Sequence, residues 1–228
     1  MDPAQIETLV QRLVRDPHDA DALAQAHHAG QHDPTAYATL LERVGQNSAD
    51  PMFAAHWYNE AAMVWQSLGD HGQHARLQQQ AAERDPTNVA LYDLVAQQHR
   101  GSGNIQALAQ LLERVCEVGP AHLTEIPELR ERIAAAHEEL AGLYTEGPLA
   151  HVDKAAGHWS AIVAADPTNA YAIYQAREIF KGAQRWSDAI PLFAQERSII
   201  QDNERKLALC HDEIEVCRQA EDLAGITR

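Results

Sequence analysis

The dipeptide Asp-Pro punctuates this chain of 228 residues, at Asp2-Pro3, Asp16-Pro17, Asp33-Pro34, Asp50-Pro51, Asp85-Pro86 and Asp166-Pro167. Proline pushes the residue before it out of helical geometry, yet fits the first turn of a helix that an aspartate can cap. Each Asp-Pro is therefore expected to end one helix and begin another. Pro17, Pro51, Pro86 and Pro120 stand 34, 35 and 34 residues apart, and Pro167 follows after 47, one period plus an insertion of 13. A further period reaches Gln201, just before Asp202-Asn203. A register of this length marks a repeated supersecondary unit that buries its apolar face against its neighbours.

The palette says what the unit is made of. There are 40 Ala and 21 Leu against 11 Val and 12 Ile, which favours helix over strand. Val89, Leu91, Leu94 and Val95, then Ile105, Leu108, Leu111, Leu112 and Val115, show three-and-four spacing on either side of Gly101-Ser102-Gly103. That is the pattern of two amphipathic helices joined by a tight turn. The unit from Pro167 repeats it, with Ile173, Ala176, Ile179 and Phe180 before the stretch 181–185, and a second helix from Trp186 whose first turn is expected to hold Pro191. The unit from Pro120 carries an added turn at 124–129, with helices predicted at roughly 127–145 and 152–165 around the loop Glu146-Gly147-Pro148. Residues 4–15 read as a lone amphipathic helix. Residues 203–219 read as a first helix, with 221–226 opening a second. The expectation is an all-α chain, a right-handed alpha-alpha superhelix of antiparallel hairpins with a period of about 34 residues. Its units run 1–16 (partial), 17–50, 51–85, 86–119, 120–166 (enlarged), 167–200 and 201–228 (partial). The unfinished ends suggest a portion of a longer protein.

With these residues in view, the chain resembles the tetratricopeptide repeat family, whose helix pairs carry Trp, Leu, Gly or Ala, and Tyr on the first helix, and Ala and Phe on the second. Trp57 and Ala61 match the first helix of the unit from Pro51; Leu140, Ala141 and Tyr144 match that of the enlarged unit, followed by Ala155 and Trp159 on its second. Phe180, Ala189 and Phe193 match in the unit from Pro167, where Arg177 stands at a small-residue position. Ala61 and Ala141 are read as close-packing residues, and Trp57, Trp159 and Phe193 as hairpin core.

Eighteen Lys and Arg against 33 Asp and Glu give a net charge of −15, shared as −7 up to residue 114 and −8 beyond it. No basic stripe is present to neutralise phosphates, which speaks against nucleic acid as a partner. No purely apolar run exceeds five residues, far short of the roughly 20 of a membrane span or the apolar core of a leader. Cys116, Cys210 and Cys217 fit neither a disulfide scaffold nor a four-cysteine zinc site, as expected of a reducing, cytoplasmic setting. Cys210 and Cys217 share a helix face and read as buried apolar residues.

Among 13 histidines, His27, His28 and His32, then His71 and His74, are expected at hairpin tips around Gly30 and Gly72; His151 and His158 form a third group. No His-Glu-x-x-His string, nucleophile elbow or phosphate loop occurs, so no catalytic, cofactor or metal residue is assigned. Adventitious metal binding by the histidines is the alternative.

In the resembled family the first helices line a concave surface that takes up peptides or helices of partners. By register this implies Tyr58, Ala62, Trp65, Asp93, Gln97, Arg100, Glu138, Tyr171, Tyr174, Glu178, Lys181 and Asp212. Asp93, Tyr174 and Glu178 replace the cations with which some members clamp acidic tails. The implied partner is thus a basic, or mixed apolar and basic, segment, with aromatic side chains supplying area and carboxylates steering cations. The implied function is that of a scaffold or adaptor, not an enzyme. A regulatory or oligomerising portion of a larger enzyme is the second reading.

Overall fold

The computed structural model describes the backbone of residues 2–226 and side-chain surroundings through residue 220. The described residues form helices only: α1 (Pro3–Arg15), α2 (Ala20–His32), α3 (Pro34–Asn47), α4 (Pro51–Ser67), α5 (His71–Arg84), α6 (Val89–Ser102), α7 (Ile105–Val118), a 3-10 turn (Gly119–His122), α8 (Leu129–Thr145), α9 (Val152–Ala165), α10 (Ala170–Gly182), α11 (Trp186–Ile199) and α12 (Asn203–Ile226). The chain divides into two compact units, Met1–Leu129 and Arg130–Arg228.

The Asp-Pro dipeptides do two different jobs. Asp2, Asp33 and Asp50 are N-caps whose side chains accept backbone N–H groups of α1, α3 and α4, with proline at the start of the helix. Asp33 also closes α2, donating its backbone N–H to the Ala29 carbonyl, so that it ends one helix and begins the next as expected. Asp16, Asp85 and Asp166 instead close α1, α5 and α9, each donating its backbone N–H to the carbonyl four residues back. There the carboxylate turns forward and accepts the N–H of His18, Thr87 or Thr168 at 3.0 Å. The cap of the next helix then comes three residues later, from Asp19, Asn88 or Asn169. The three junctions share the pattern Asp-Pro-x-Asp/Asn: one side chain ends a helix, a second starts the next, and proline occupies the turn where no amide is needed.

In the first unit α1 packs on α2 and α3, α3 on α4, α4 on α5, α5 on α6 and α7, and α6 on α7. Leu13, Leu40, Leu41, Leu77, Leu111 and Leu112 are fully buried there, and alanines such as Ala54, Ala61 and Ala81 let the helices approach. In the second unit α9 packs on α10, α10 on α11 and α11 on α12. Ala141, Trp159, Ala172, Ala176, Phe180 and Ala189 make one core cluster, and Phe193, Leu209 and Val216 another. The expected core residues Trp57, Ala61, Ala141, Trp159 and Phe193 are all buried.

Some local expectations change. Helix α6 runs through Ser102, so only Gly103, in the left-handed region at φ 68°, and Asn104 make the turn. Pro191 lies in the second turn of α11, not the first; the helix continues past it, held by buried Ala189 and Phe193. Gly30 lies inside α2 and Gly72 in the first turn of α5, so neither is a loop. Residues 221–226 continue α12 and open no new helix, because nothing between Asn203 and Ala224 breaks one.

Candidate functional site

The first unit has a cleft of about 680 Å³ at the meeting of the α1–α2 turn, α2, α3 and α4. Helix α4 supplies Phe53, His56, Trp57 and Glu60, a stripe at the spacing of one helix face. Asp50, the cap of α4, lies at its mouth beside Met52, and Tyr37 comes from α3 and His18 from the α1–α2 turn. The rings meet edge to face: His18 with Phe53 at 5.7 Å, His56 with Trp57 at 5.1 Å, and Tyr37 with His27 at 6.3 Å. Gly30 makes room for Tyr37, since a Cβ there would stand 2.7 Å from the ring. Burial, and then the Glu60 carboxylate, push the Tyr37 phenol above its ordinary pKa. The lining contains no lysine or arginine.

The second unit has a cleft of about 270 Å³ lined by Tyr174, Arg177, Glu196, Arg205, Leu209 and Asp212. Its centre is an ion network. The Arg177 guanidinium is buried and donates from Nε to Glu196 at 2.9 Å and from Nη1 to Asp212 at 3.0 Å, with Glu178 alongside. It lies over the Phe193 ring at 4.5 Å and the Tyr174 ring at 5.4 Å. Lys181 donates to Asp212 at 2.7 Å and to Glu178 at 3.3 Å, and Arg205 stands 3.7 Å from Glu196. Three cations thus face three carboxylates, and the cleft's charge is compensated from within. Arg177 occupies its small-residue position because α11 and α12 bring Glu196 and Asp212 to it.

The residues assigned by register are placed as follows. Tyr58 and Ala62 are buried in α4, and Tyr58 reaches only the floor of a polar cleft of about 510 Å³ with Glu83, Arg84 and Arg114. Trp65 is half-buried, its indole N–H enclosed without a hydrogen bond. Asp93, Gln97 and Arg100 on α6 and Glu138 on α8 are exposed. Tyr171 and Tyr174 on α10 are 59% and 40% exposed, with Tyr171 edge-on to Trp159 at 5.4 Å. Tyr174, Glu178, Lys181 and Asp212 come together around Arg177. The register missed Tyr37, Phe53, His56 and Glu60; the 53-56-57-60 spacing was the signal available, one residue round the helix from the face that carries Tyr58, Ala62 and Trp65.

The histidines have separate local roles. His28 and His32 meet edge to face within α2, His74 Nδ1 lies 3.0 Å from the Ala62 carbonyl, and His151 caps α9 by accepting from the Lys154 N–H. His158 stacks on Tyr144, and its Nδ1 is 2.9 Å from His137 Nδ1. Among the described residues no group of three or more His, Cys, Asp or Glu side chains is placed to hold a metal ion, and no helix is long and apolar enough to cross a membrane. Burial and the nearby Glu113 push the Cys116 thiol up to about 12, which leaves it protonated and unreactive near neutral pH. No protein-family model matches the chain, and no curated protein matches it.

Proposed function

We propose that this chain is a non-enzymatic interaction module of the tetratricopeptide-like kind, a solenoid of helical hairpins with a period of about 34 residues acting in the cytoplasm as a scaffold or adaptor. Its partner is a basic, or mixed apolar and basic, protein segment. The reading is supported by the three Asp-Pro-x-Asp/Asn junctions and by small residues at the helix crossings. The observation that carries it is the set of large apolar side chains left exposed on the helices of an acidic chain, among them Tyr171 and Tyr174 on α10 and Met52 and Met63 on α4. Aromatic and methionine side chains are enriched where surfaces bind proteins, and carboxylates around them select the sign of the partner.

The test is fluorescence anisotropy of a labelled 16-residue Leu/Lys peptide with the full chain, against a Leu/Glu peptide and a Ser/Lys peptide of equal charge. Saturable binding of the Leu/Lys peptide alone is expected. Equal binding of Ser/Lys would reduce the effect to bulk charge, and no binding of any peptide would overturn the reading.

A further inference from the structure

The two clefts differ in who satisfies their charges. In the first unit, four of the seven arginines pair with Asp19, Glu7, Glu42 and Glu117, none of which lines the cleft among α2, α3 and α4. Residues 1–129 carry seven arginines, no lysine and 17 carboxylates, a net charge of −10. Glu60 is exposed, and no described ion pair or hydrogen bond engages it; its described neighbour is the Tyr37 phenol. Asp50 spends one oxygen on the N–H groups of Met52 and Phe53. Between these carboxylates lie the rings of Tyr37, Phe53 and Trp57.

Ring faces and carboxylates together suit one chemistry, a cation on an apolar stem. The ring quadrupole attracts it, the carboxylates complete its charge, and the stem covers carbon surface. An anion would meet uncompensated carboxylates, and a purely apolar group would bury them. The volume of about 680 Å³ and the stretch of α4 from Phe53 to Glu60, about 10 Å of helix, exceed what a single ammonium fills. They match a short stretch of chain.

We propose that this cleft receives a lysine- or arginine-bearing stretch of a partner protein, its cationic head at Glu60 and Asp50 and its alkyl stem on Tyr37, Phe53 and the exposed Met52. This rests on the interaction-module reading and adds to it the place and the anchoring residue type. The site lies where register alone did not put it.

The experiment titrates the labelled Leu/Lys peptide into the full chain and into Glu60→Gln, Phe53→Ala, Phe53→Leu and Tyr174→Ala, each checked by thermal melting. Glu60→Gln is expected to weaken binding about fivefold, the upper range for one exposed charge pair. Phe53→Ala is expected to weaken it about tenfold, as for an aromatic anchor. Phe53→Leu keeps the fold if Phe53→Ala loses it, and should weaken binding by less, while Tyr174→Ala, which probes the exposed surface of α10, should weaken it less than Glu60→Gln does. Binding lost in Tyr174→Ala but unaffected by the α4 variants would leave the interaction-module reading standing and overturn this site. No binding by the unaltered chain would remove both. Displacement of the peptide by choline at concentrations below its own excess would overturn the protein partner in favour of a small ammonium ligand.

Discussion

The two units solve the same electrostatic problem in opposite ways. In the second, a buried arginine is answered on every side by the chain itself: Glu196 is 1% exposed, Asp212 and Glu178 close the ring, and Phe193 and Tyr174 flank the guanidinium. In the first, Glu60 and the rings of Tyr37, Phe53 and Trp57 face an open cleft with no lysine or arginine in its lining. A charge answered internally fixes helices to one another. One left at the mouth of an aromatic cleft is available to something else. Carboxylate and aromatic content alone therefore cannot distinguish a binding surface from a structural tie; the location of the cations does.

The largest expected effect tests the structural half of this contrast. Arg177→Ala leaves Glu196 buried with only Arg205 at 3.7 Å, and breaking such a pair from one side costs about 3–5 kcal/mol. Urea unfolding should show that loss, whereas the double change Arg177→Met/Glu196→Leu should recover most of it, because two apolar side chains remove the desolvation penalty together. If Arg177→Ala costs under about 1 kcal/mol, as an exposed pair would, the network is a surface feature and the contrast between the units fails.

This network also marks where sequence reasoning stopped. Helix ends were legible because they are local: α9 spans Val152–Ala165, the interval that spacing predicts, and Asp, Asn and Pro announce most other boundaries within a few residues. The oddness of Arg177 was visible, but its partners lie 19 and 35 residues further on, in other helices, and no local pattern links them. The cleft of the first unit was missed for a different reason. Adjacent residues on a helix differ by about 100° around its axis, so choosing Tyr58, Ala62 and Trp65 over Phe53, His56, Trp57 and Glu60 depends on which face meets a neighbour. Helix α4 is packed on both α3 and α5, and that packing takes the Tyr58 and Ala62 face into the core. The two jobs of Asp-Pro were confused because only the residue three places after the aspartate separates them.

A smaller effect probes how firmly the first cleft is built. In Gly30→Ala the new Cβ would stand 2.7 Å from Cγ and 3.0 Å from Cβ of Tyr37, so the whole side chain must shift, not only its tip. Removing a helical glycine gains about 1 kcal/mol, while overpacking costs about 1–3 kcal/mol. The net expectation is a loss of about 1 kcal/mol together with weaker binding of the Leu/Lys peptide as Tyr37 leaves its place. A more stable variant with unchanged affinity would show that Tyr37 is not needed in its present position.

The mildest expectation probes both units by pH. Burial lowers the pKa of His99 in the first unit, where the Glu83 carboxylate opposes it, and of His137 in the second, where burial acts alone. His137 Nδ1 and His158 Nδ1, 2.9 Å apart, can share one proton but not hold two facing each other. Each lowered histidine binds fewer protons folded than unfolded. Its contribution is therefore complete above the unfolded value of about 6.5 and is lost as pH falls from there toward the folded value. Between pH 7.5 and 5.5, above the range where most carboxylates titrate, the denaturation midpoint should fall. His99→Gln and His137→Gln should each flatten that slope, since each removes one histidine that resists protonation in the folded chain. Slopes in both variants as steep as in the unaltered chain would place the acid sensitivity outside these histidines.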